Sequence, residues 1–280
     1  MSGAAPLIIV TGATDGIGQE TALELARRGA RVIVHGRSEG KTEAVRAAIA
    51  RETGRPAEPA LIADLASLSQ VRAMAAAFIA RGEPLDVLVN TAGIFSKTLS
   101  RTDGGVESTF AVNHLAPFLL THLLLDALRE ADSGRIVNVS SVAHTRGAIT
   151  LADLDTSKAP FSGYGAYASS KQANVLFTVE LSRRLGAESR VTVNALHPGV
   201  VSTKVLLEGF GMQGNDSLAD GARTSVFLAL DPSVKNVRGQ YFVRAKPAPA
   251  SPAATAPDLA RAFYLRSAEL VGAQPLPESR

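Results

Sequence analysis

Short runs of apolar and β-branched residues alternate along the chain with longer segments whose apolar residues recur every three or four positions. This alternation is typical of repeated βαβ units, in which helices connect parallel strands and cover both faces of the sheet. The pattern predicts strands at 7–11, 31–35, 60–63, 85–90, 134–140, 190–195 and 240–243. It predicts helices at 16–28, 39–52, 68–80, 113–129, 167–185, 218–230 and 258–271. We therefore predict a single α/β domain over residues 1–280, a Rossmann-like, doubly wound fold with a seven-stranded parallel sheet flanked by helices.

The stretch "KPAPASPAATAP" at 246–257 interrupts this alternation. Its four prolines cannot donate backbone hydrogen bonds, so they are excluded from helix interiors and from central strands. We predict a surface loop there, before the C-terminal helix.

Composition limits the chemistry that the chain can carry. The 280 residues include no cysteine, which excludes disulfides, thiolate metal ligands and cysteine nucleophiles and fits a reducing cytosol. Redox chemistry would have to come from a bound cofactor. Lys and Arg number 29 against 26 Asp and Glu, without a long basic run, so we expect no nucleic-acid partner. The N-terminus has no signal-like region, and no apolar run approaches the roughly 20 residues of a membrane span, so we expect a cytoplasmic location.

The segment "IIVTGATDGIG" at 8–18 carries Gly12, Gly16 and Gly18 between a predicted strand and a predicted helix. At the start of a helix, backbone N–H groups and the positive end of the helix dipole can face a phosphate. Glycine also has no Cβ to keep a pyrophosphate away from the backbone. The turn therefore predicts a dinucleotide site, although a glycine-rich turn can also serve only as a connection.

The spacing T-G-x-x-x-G-x-G resembles that of the short-chain dehydrogenase/reductase family, and further motifs of that family follow in order. These are "NTAG" at 90–93, Asn113 within "VNHLAPF", "VNVSS" at 137–141, "YASSK" at 167–171 and "HPGVVST" at 197–203. The resemblance spans essentially the whole chain. The segments "FAVNHLAPFLLT", "GRIVNVSSVAH" and "KQANVLFTVELSRRL" are most similar to the branch that contains retinol dehydrogenases, WW-domain oxidoreductases and light-dependent protochlorophyllide reductases.

The motif "YASSK" has a chemical meaning of its own. Residues i and i+4 of a helix lie on one face, so the Tyr167 phenol and the Lys171 ammonium project to the same side. A nearby cation favours the phenolate, which lowers the pKa of tyrosine from about 10 toward the working range of an acid–base catalyst. Tyr164 has Ala168 four residues on and gains no such cation. A surface contact between tyrosine and lysine is the structural alternative.

The resemblance implies a catalytic set of Asn113, Ser141, Tyr167 and Lys171. Tyr167 would exchange a proton with the carbonyl or alcohol oxygen during hydride transfer, and Lys171 would also hold the nicotinamide ribose. Ser141 would hydrogen-bond the substrate oxygen, whereas we expect Ser140 to be a structural hydroxyl at the strand end. Asn113 would support a water molecule connected to Lys171, and a helix N-cap is its alternative or additional role.

The second predicted strand ends in "VIVHGRS", with Gly36 where NAD-dependent relatives often carry Asp, followed by Arg37. A guanidinium there accommodates the 2′-phosphate of NADP, with Ser38 as a second donor, so NADP(H) is favoured over NAD(H). The resemblance implies that Asp64 contacts the adenine and Thr203 the nicotinamide carboxamide. The predicted cofactor-binding residues are Gly12, Thr14, Asp15, Gly16, Ile17, Gly18, Arg37, Ser38, Asp64, Leu65, Asn90, Ala92, Gly93, Tyr167, Lys171, Pro198, Gly199, Val201 and Thr203.

Two features depart from the family pattern. Thr91 replaces the second Asn of the common N-N-A-G, and we still expect the cofactor to bind. Tyr167 follows Ser141 by 26 positions, about twice the spacing in many members. We expect the extra segment, at 145–163, to lie near the active-site mouth or on the helix face used for association, which leaves the geometry of any homodimer open.

The segment "KVLLEGFGMQGNDS" at 204–217 combines apolar residues with three glycines. The corresponding region of the family usually forms a substrate lid, and an apolar lid would exclude water from hydride transfer. No Arg or Lys lies between Val205 and Arg223, so we predict an uncharged, lipophilic aldehyde or ketone, although Lys204 or the 142–163 loop could supply a charge. A small helix packed permanently on the core is the alternative.

Other functions fit the sequence less well. The five histidines show no paired metal-ligand spacing, so we expect no metal site. No G-x-S-x-G elbow supports an α/β-hydrolase. An epimerase or dehydratase among the extended relatives would prefer T-G-x-x-G-x-x-G and a longer chain. The remaining alternative is a non-catalytic nucleotide-binding or interaction protein of this fold, in which the Tyr or the Lys is usually lost.

Overall fold

The computed structural model describes residues 5–157 and 160–279. Within these residues, one sheet contains the strands β1 Leu7–Val10, β2 Arg31–Gly36, β3 Leu61–Ile62, β4 Val87–Asn90, β5 Arg135–Val139, β6 Thr192–His197, β7 Tyr241–Val243 and β8 Lys246–Ala248. Their order in the sheet is β3-β2-β1-β4-β5-β6-β7-β8. Strands β1 to β7 run parallel, and β8 pairs antiparallel with β7.

Helices connect the strands and flank the sheet. The described α-helices are α1 Gly16–Arg27, α2 Glu39–Thr53, α3 Leu68–Ile79, α4 Ser108–Phe110, α5 Ala116–Glu130, α6 Gly163–Leu185, α7 Leu218–Leu230, α8 Pro252–Thr255 and α9 Pro257–Val271. Ala111–Leu115, between α4 and α5, and Val205–Phe210 are π-helices, and Val142–Arg146 and Pro232–Val234 are 3-10 helices.

The predicted fold class, a doubly wound α/β sheet flanked by helices, is confirmed. Each predicted strand forms, with both ends within two residues of the predicted ends. All four residues of β1 and of β4 are buried. Such continuous apolar runs are typical of parallel strands covered on both faces, which explains why the sequence pattern located them.

The predicted loop at 246–257 is wrong. Pro247 lies on β8, the last strand of the sheet, where a missing N–H donor is tolerated. Pro252 and Pro257 lie in the first turns of α8 and α9, where the N–H groups have no partner within the helix. The prolines therefore mark an eighth, edge strand and two helix starts.

Helix α6 begins four residues earlier than predicted, at Gly163. The Ser162 hydroxyl caps it by accepting a hydrogen bond from the Gly165 N–H at 3.1 Å. A Cβ on Gly163 would lie 2.2 Å from the Ser96 carbonyl oxygen, so glycine allows this close approach. This cap and this contact override the low helix propensity of Gly163 and Gly165.

The helix predicted from residue 113 instead begins at Ser108. The buried carboxylate of Glu107 caps it by accepting hydrogen bonds from the N–H groups of Thr109 and Phe110, at 2.8 and 2.7 Å. Asn113 lies more than one turn further along, in the π-helix, so the N-cap role considered for it is wrong.

The two faces of the sheet bury separate apolar clusters. One cluster, with Ile9 and Phe177, lies under α3, α5, α6 and α9. The other, with Ile8 and Val45, lies under α1, α2 and α7. Neighbouring residues of β1 alternate between the clusters because successive side chains of a strand point to opposite faces.

Helix α9 packs on α5 and α6. His122 Nε2 of α5 lies 2.8 Å from the Tyr264 hydroxyl, and the Arg184 guanidinium lies 4.4 Å from the centre of the Tyr264 ring.

By length and composition, the helix Ser108–Glu130 could cross a membrane, contrary to the expectation that no segment qualifies. Its most apolar window is 78% buried inside the molecule, so the core alone accounts for its composition.

The strand order creates a switch point, because the chain leaves β1 toward β2 and returns on the other side at β4. Ligands of open parallel sheets bind outside the carboxyl ends of the strands at such a point. A Cβ on Gly12, just after β1, would lie 2.7 Å from the Cα of Ala92, just after β4. The Thr11 hydroxyl accepts hydrogen bonds from the N–H groups of Thr91 and Ala92, at 3.0 and 3.2 Å. The two turns are therefore in direct contact.

Candidate active site

Close backbone contacts shape the glycine-rich turn after β1. Gly12 has a φ of +65°, in the left-handed region that favours glycine. A Cβ on Gly18 would lie 2.2 Å from the Gly12 carbonyl oxygen, so α1 begins directly against the turn. A Cβ on Gly16 would lie 3.3 Å from Thr203 Cγ2, in the loop after β6. The segments predicted to hold the pyrophosphate and the carboxamide of a nicotinamide dinucleotide are therefore adjacent, and the missing Cβ atoms allow these protein segments to approach closely.

The residues predicted to hold the adenosine end lie after β2 and β3. Arg37 is exposed, and its guanidinium lies 4.0 Å from the Asp64 carboxylate. Ser38 is the N-cap of α2. A Cβ on Gly36 would lie 2.4 Å from Thr14 Cγ2, so the turn after β1 packs directly on the end of β2. Arg37 and Ser38 therefore stand beside the glycine-rich turn with their polar groups accessible.

The loop at 198–203 approaches the same cleft. The Asp216 carboxylate holds it by accepting the Val200 N–H at 2.7 Å. Gly199 has a φ of +104°, and Pro198 is half-buried. At the end of the loop, Lys204 forms an ion pair with Asp15 of the glycine-rich turn, which lowers the pKa of Asp15.

Some predicted cofactor residues direct their side chains into the core instead. Leu65 is 5% exposed and belongs to an apolar cluster. Asn90 donates a hydrogen bond to Asn138 Oδ1 at 2.9 Å within the sheet. Val201 is buried beside α7, where a Cβ on Gly221 would lie 2.9 Å from its Cγ2. A cofactor contact at these positions would have to come from the backbone.

Tyr167 and Lys171 share one face of α6, as their spacing predicts. Lys171 is 3% exposed; its Nζ donates to the Val139 carbonyl at 3.0 Å and lies 5.6 Å from the centre of the Tyr167 ring. A Cβ on Gly93 would lie 3.4 Å from Lys171 Nζ and 3.5 Å from Asn113 Oδ1. Lys171 and Asn113 therefore meet at the turn after β4, and Tyr167 lies beside Lys171.

Burial dominates the titration of this pair. It raises the pKa of the Tyr167 phenol to about 12, and the Ser141 side chain only partly opposes this effect. The prediction that Lys171 lowers the pKa of Tyr167 is therefore wrong for the protein alone. Burial also lowers the pKa of the Lys171 ammonium to about 8. Burial therefore disfavours the charged form of each of the two side chains in the protein alone.

The Asn113 amide is fully used on protein groups. Its Oδ1 accepts the Ile94 N–H at 2.8 Å, and its Nδ2 donates to the Ile94 carbonyl and to the Ser170 hydroxyl, both at 3.0 Å. Asn113 thus ties the turn after β4 to α6, one residue before Lys171. Its role in holding a water molecule stays a prediction.

Ser141 lies two residues after the end of β5 and is the N-cap of the 3-10 helix Val142–Arg146. Its hydroxyl oxygen accepts the Ala143 N–H at 3.2 Å, and the same side chain hydrogen-bonds Tyr167, which partly opposes the rise in the pKa of that phenol. Ser140, in contrast, is 1% exposed and donates to the Lys171 carbonyl at 2.7 Å. The structural role predicted for Ser140 is confirmed.

Aromatic rings surround Tyr167. The Phe210 ring lies 5.4 Å from the Tyr167 ring, 5.8 Å from the Tyr164 ring and 4.5 Å from the Phe95 ring, between ring centres. A Cβ on Gly209 would lie 2.8 Å from Phe95 Cδ1, so this glycine brings the π-helix Val205–Phe210 against Phe95. Sequence reasoning missed Phe95, for which the available signal was its position two residues after the "NTAG" motif.

The extra segment before Tyr167 packs on α6 and on the 96–107 loop. Its buried Ile149 donates an N–H to Gln172 Oε1 at 3.2 Å, and Asp155 accepts the Glu107 N–H at 3.1 Å. Residues 158 and 159 lie outside the described residues. Both predicted locations, at the active-site mouth and on the helix face used for association, stay predictions.

The histidines bind separate partners. His114 Nε2 lies 2.9 Å from the Ser267 hydroxyl, His144 Nδ1 lies 2.7 Å from the Ser141 carbonyl oxygen, and His197 Nδ1 accepts the Val142 N–H at 3.3 Å. In the part of the chain that the structure describes, no group of three His, Asp or Glu side chains is placed to hold a metal ion.

A family model for the short chain dehydrogenases matches residues 6–210, and the chain therefore belongs to that family. Members of this family bind a nicotinamide cofactor and are oxidoreductases. The glycine-rich turn and the Tyr167–Lys171 pair lie within the matched residues. The predicted family and its retinol dehydrogenase-like branch are confirmed by the relatives.

The chain is 41% identical to retinol dehydrogenase 13 of Homo sapiens, over 96% of this chain and 88% of that protein. It is 38% identical to polyprenol dehydrogenase of Homo sapiens, over 94% of this chain and 84% of that protein. Among solved structures, a protein from Mycobacterium paratuberculosis matches with a TM-score of 0.81 and 34% identity, covering 98% and 96% of the two chains. A short chain dehydrogenase from Escherichia coli CFT073, complexed with NADPH, matches with a TM-score of 0.71 and 28% identity, covering 86% and 97%.

The burial of Lys171 predicts a cost in stability. At pH 7 the lysine is charged in both states, and the folded state bears the desolvation cost because its pKa, about 8, is below the unfolded value of 10.5. Stability then rises as the pH increases from 8 to 10.5, where the folded state has already released the proton. We expect Lys171→Met to raise the free energy of unfolding by about 1–3 kcal/mol at pH 7.

Urea unfolding at pH 7 and at pH 10 measures this effect. The advantage of Lys171→Met should shrink at the higher pH, and the exposed control Lys41→Met should change stability little at either pH. A Lys171→Met protein that is less stable than the wild type at pH 7, or whose advantage grows with pH, would contradict the prediction.

Proposed function

We propose that the protein is an NADP(H)-dependent oxidoreductase that interconverts a lipophilic aldehyde or ketone and its alcohol, with Tyr167 as the acid–base catalyst. The observation that carries the proposal is that Lys171 and Asn113 meet at Gly93, beside the switch point, with the Tyr167 ring next to Lys171. The family membership supports the reaction class.

The side chains suit the steps of a carbonyl reduction. The cofactor would supply a hydride to the carbonyl carbon when bound. The Ser141 hydroxyl would donate a hydrogen bond to the carbonyl oxygen, and the Tyr167 phenol would transfer its proton to that oxygen. Because burial disfavours the phenolate, the Lys171 ammonium would stabilise the charge that develops on Tyr167, and the alcohol oxidation would run through the same atoms in reverse.

Replacing Tyr167 by Phe tests the acid–base role. The variant keeps the ring that packs against Phe210 and loses only the proton donor, so kcat should fall about 10²–10⁴-fold while NADP⁺ affinity persists. Tyr164→Phe is the matched control, because Tyr164 lies on the same helix and is 45% exposed, and it should keep most of its turnover. A Tyr167→Phe protein with near wild-type kcat would refute the mechanism.

The preference for NADP(H) is supported at the end of β2. A Cβ on Gly36 would lie 2.4 Å from Thr14 Cγ2 and 2.9 Å from Thr42 Cγ2, so an Asp that binds the ribose hydroxyls of NAD does not fit there. The next residue, Arg37, is exposed and can pair with a 2′-phosphate. A short chain dehydrogenase of related structure is complexed with NADPH.

Arg37→Ala should therefore weaken the binding of NADPH more than that of NADH. The loss of a charged phosphate contact predicts about a tenfold or greater rise in the KM for NADPH, with little change for NADH. The control is Arg28→Ala, which removes an exposed arginine from the end of α1, remote from the turn. An unchanged ratio of kcat/KM for the two cofactors would exclude the assignment.

A lipophilic substrate is supported by the lid. No residue of the π-helix Val205–Phe210 is fully buried, so the segment can leave the core. Its charged side chain is Glu208, which would repel an anionic substrate. Phe210 and Phe95 instead offer aromatic surface beside Tyr167. Retinol dehydrogenase 13 and polyprenol dehydrogenase are relatives whose names specify isoprenoid alcohols, so isoprenoid aldehydes are the first substrates to test.

Phe210→Ala should raise the KM for all-trans-retinal by about 10- to 100-fold and that for a short polar aldehyde much less, because it removes apolar surface from the closed lid. Leu207→Ala is the matched control, since Leu207 lies on the same π-helix but is 43% exposed. Equal effects of Phe210→Ala on both aldehydes would favour a purely structural role for the segment.

The non-catalytic alternative predicts a different result. A nucleotide-binding or interaction protein of this fold would bind NADP⁺ without turning over any aldehyde, ketone, quinone or steroid of a test panel. The intact Tyr167 and Lys171 favour the enzyme. A cytoplasmic location and a homodimer stay predictions.

A further inference from the structure

His35 is a buried histidine at the end of β2 whose two ring nitrogens bind two different turns. It is 2% exposed. The Gly12 N–H donates to His35 Nδ1 at 3.1 Å, and His35 Nε2 lies 3.2 Å from the Ala63 carbonyl oxygen. A carbonyl only accepts hydrogen bonds, so Nε2 carries the proton and Nδ1 is free to accept. One neutral tautomer therefore satisfies both contacts.

The two turns joined by the ring belong to the proposed cofactor site. Gly12 is the first glycine of the turn after β1, and Ala63 directly precedes Asp64, which is predicted to lie near the adenine. Main-chain bonds reinforce the connection, because the Ala13 N–H donates to the His35 carbonyl at 2.9 Å. The ring thus links the predicted pyrophosphate and adenine ends of the site.

We propose that His35 is a positioning residue for NADP(H), which holds the glycine-rich turn in the shape that receives the pyrophosphate. The inference rests on the proposed function. His35 fixes the direction of the Gly12 peptide, and Gly12 in turn contacts Ala92 and Gly18, where added Cβ atoms would leave no space. Rotation of this one peptide would therefore disturb both walls of the switch point.

The environment keeps the ring in the required state. Burial lowers the pKa of His35 to about 4, and the Asp64 carboxylate and the Ala63 carbonyl only partly oppose this effect. The ring is thus neutral at the pH of ordinary assays, and Nδ1 remains an acceptor for Gly12. An apolar side chain of similar size would fill the space but leave the Gly12 N–H without this partner.

Three substitutions at His35 test its hydrogen bond to Gly12 independently of its hydrogen bond to Ala63. His35→Leu removes both. His35→Asn places an amide oxygen near the position of Nδ1 and can still accept from Gly12, whereas His35→Gln reaches the position of Nε2 and can still donate to Ala63. The control is His122→Leu, because His122 also uses both nitrogens within the fold but lies on α5 against α9.

Isothermal titration with NADP⁺ at pH 7.5, together with thermal unfolding of the free proteins, tests the proposal. We expect His35→Leu and His35→Gln to raise the Kd for NADP⁺ about tenfold, His35→Asn to recover most of the affinity, and His122→Leu to lower Tm without changing Kd. If His35→Leu does not fold, the comparison of Asn with Gln gives the same answer.

A Kd for His35→Leu within twofold of the wild type, or equal losses in Asn and Gln, would overturn the positioning role while leaving the proposed function intact. Wild-type protein that binds neither NADP⁺ nor NADPH would overturn the proposed function, and this inference with it.

Discussion

The site depends on the direct contact between the turns after β1 and β4. Gly12 can lie against Ala92 only because it has no Cβ, and the Thr11 hydroxyl closes the contact by accepting two backbone N–H groups. Strand order alone would place these turns near one another, but the contact fixes their separation. The glycines therefore act first on the protein itself, because they allow two turns and a helix to meet, and the proposed dinucleotide site is the surface that remains.

The turn after β4 also contacts the groups that surround the Tyr167–Lys171 pair. Gly93 continues the turn after β4, and Lys171 Nζ and Asn113 Oδ1 approach it from α6 and from the π-helix. Lys171 is buried with a carbonyl as its hydrogen-bond acceptor, which disfavours its charge. Such a site lowers stability in the free protein, because burial disfavours the charged form of Lys171. This is the trade between stability and activity expected at functional sites.

The sequence predicted the structure correctly where periodicity and local spacing determine it. Strands, most helices and the i,i+4 pair at Tyr167 follow from such local rules. The early starts of α6 and α4 depend on contacts with Ser96 and on a buried Glu107, which tertiary packing supplies. The same reason explains why Phe95 and His35 were missed. The predicted direction of the shift in the Tyr167 pKa was wrong, because the spacing reveals a nearby cation but not how deeply the phenol is buried.

Two kinds of contact hold the segment 204–217, the proposed lid, near the cleft, and they differ in how easily they break. The ion pair between Lys204 and Asp15 joins exposed side chains, so water and salt screen it and its rupture costs little. The Phe210 ring, in contrast, packs against Phe95 and Tyr167, and aromatic pairs contribute about 0.5–1.5 kcal/mol beyond their buried area. Opening the lid therefore exposes apolar rings to water. If the segment acts as the proposed lid, a substrate with an apolar body would replace those ring contacts as it enters, whereas a small polar carbonyl would not.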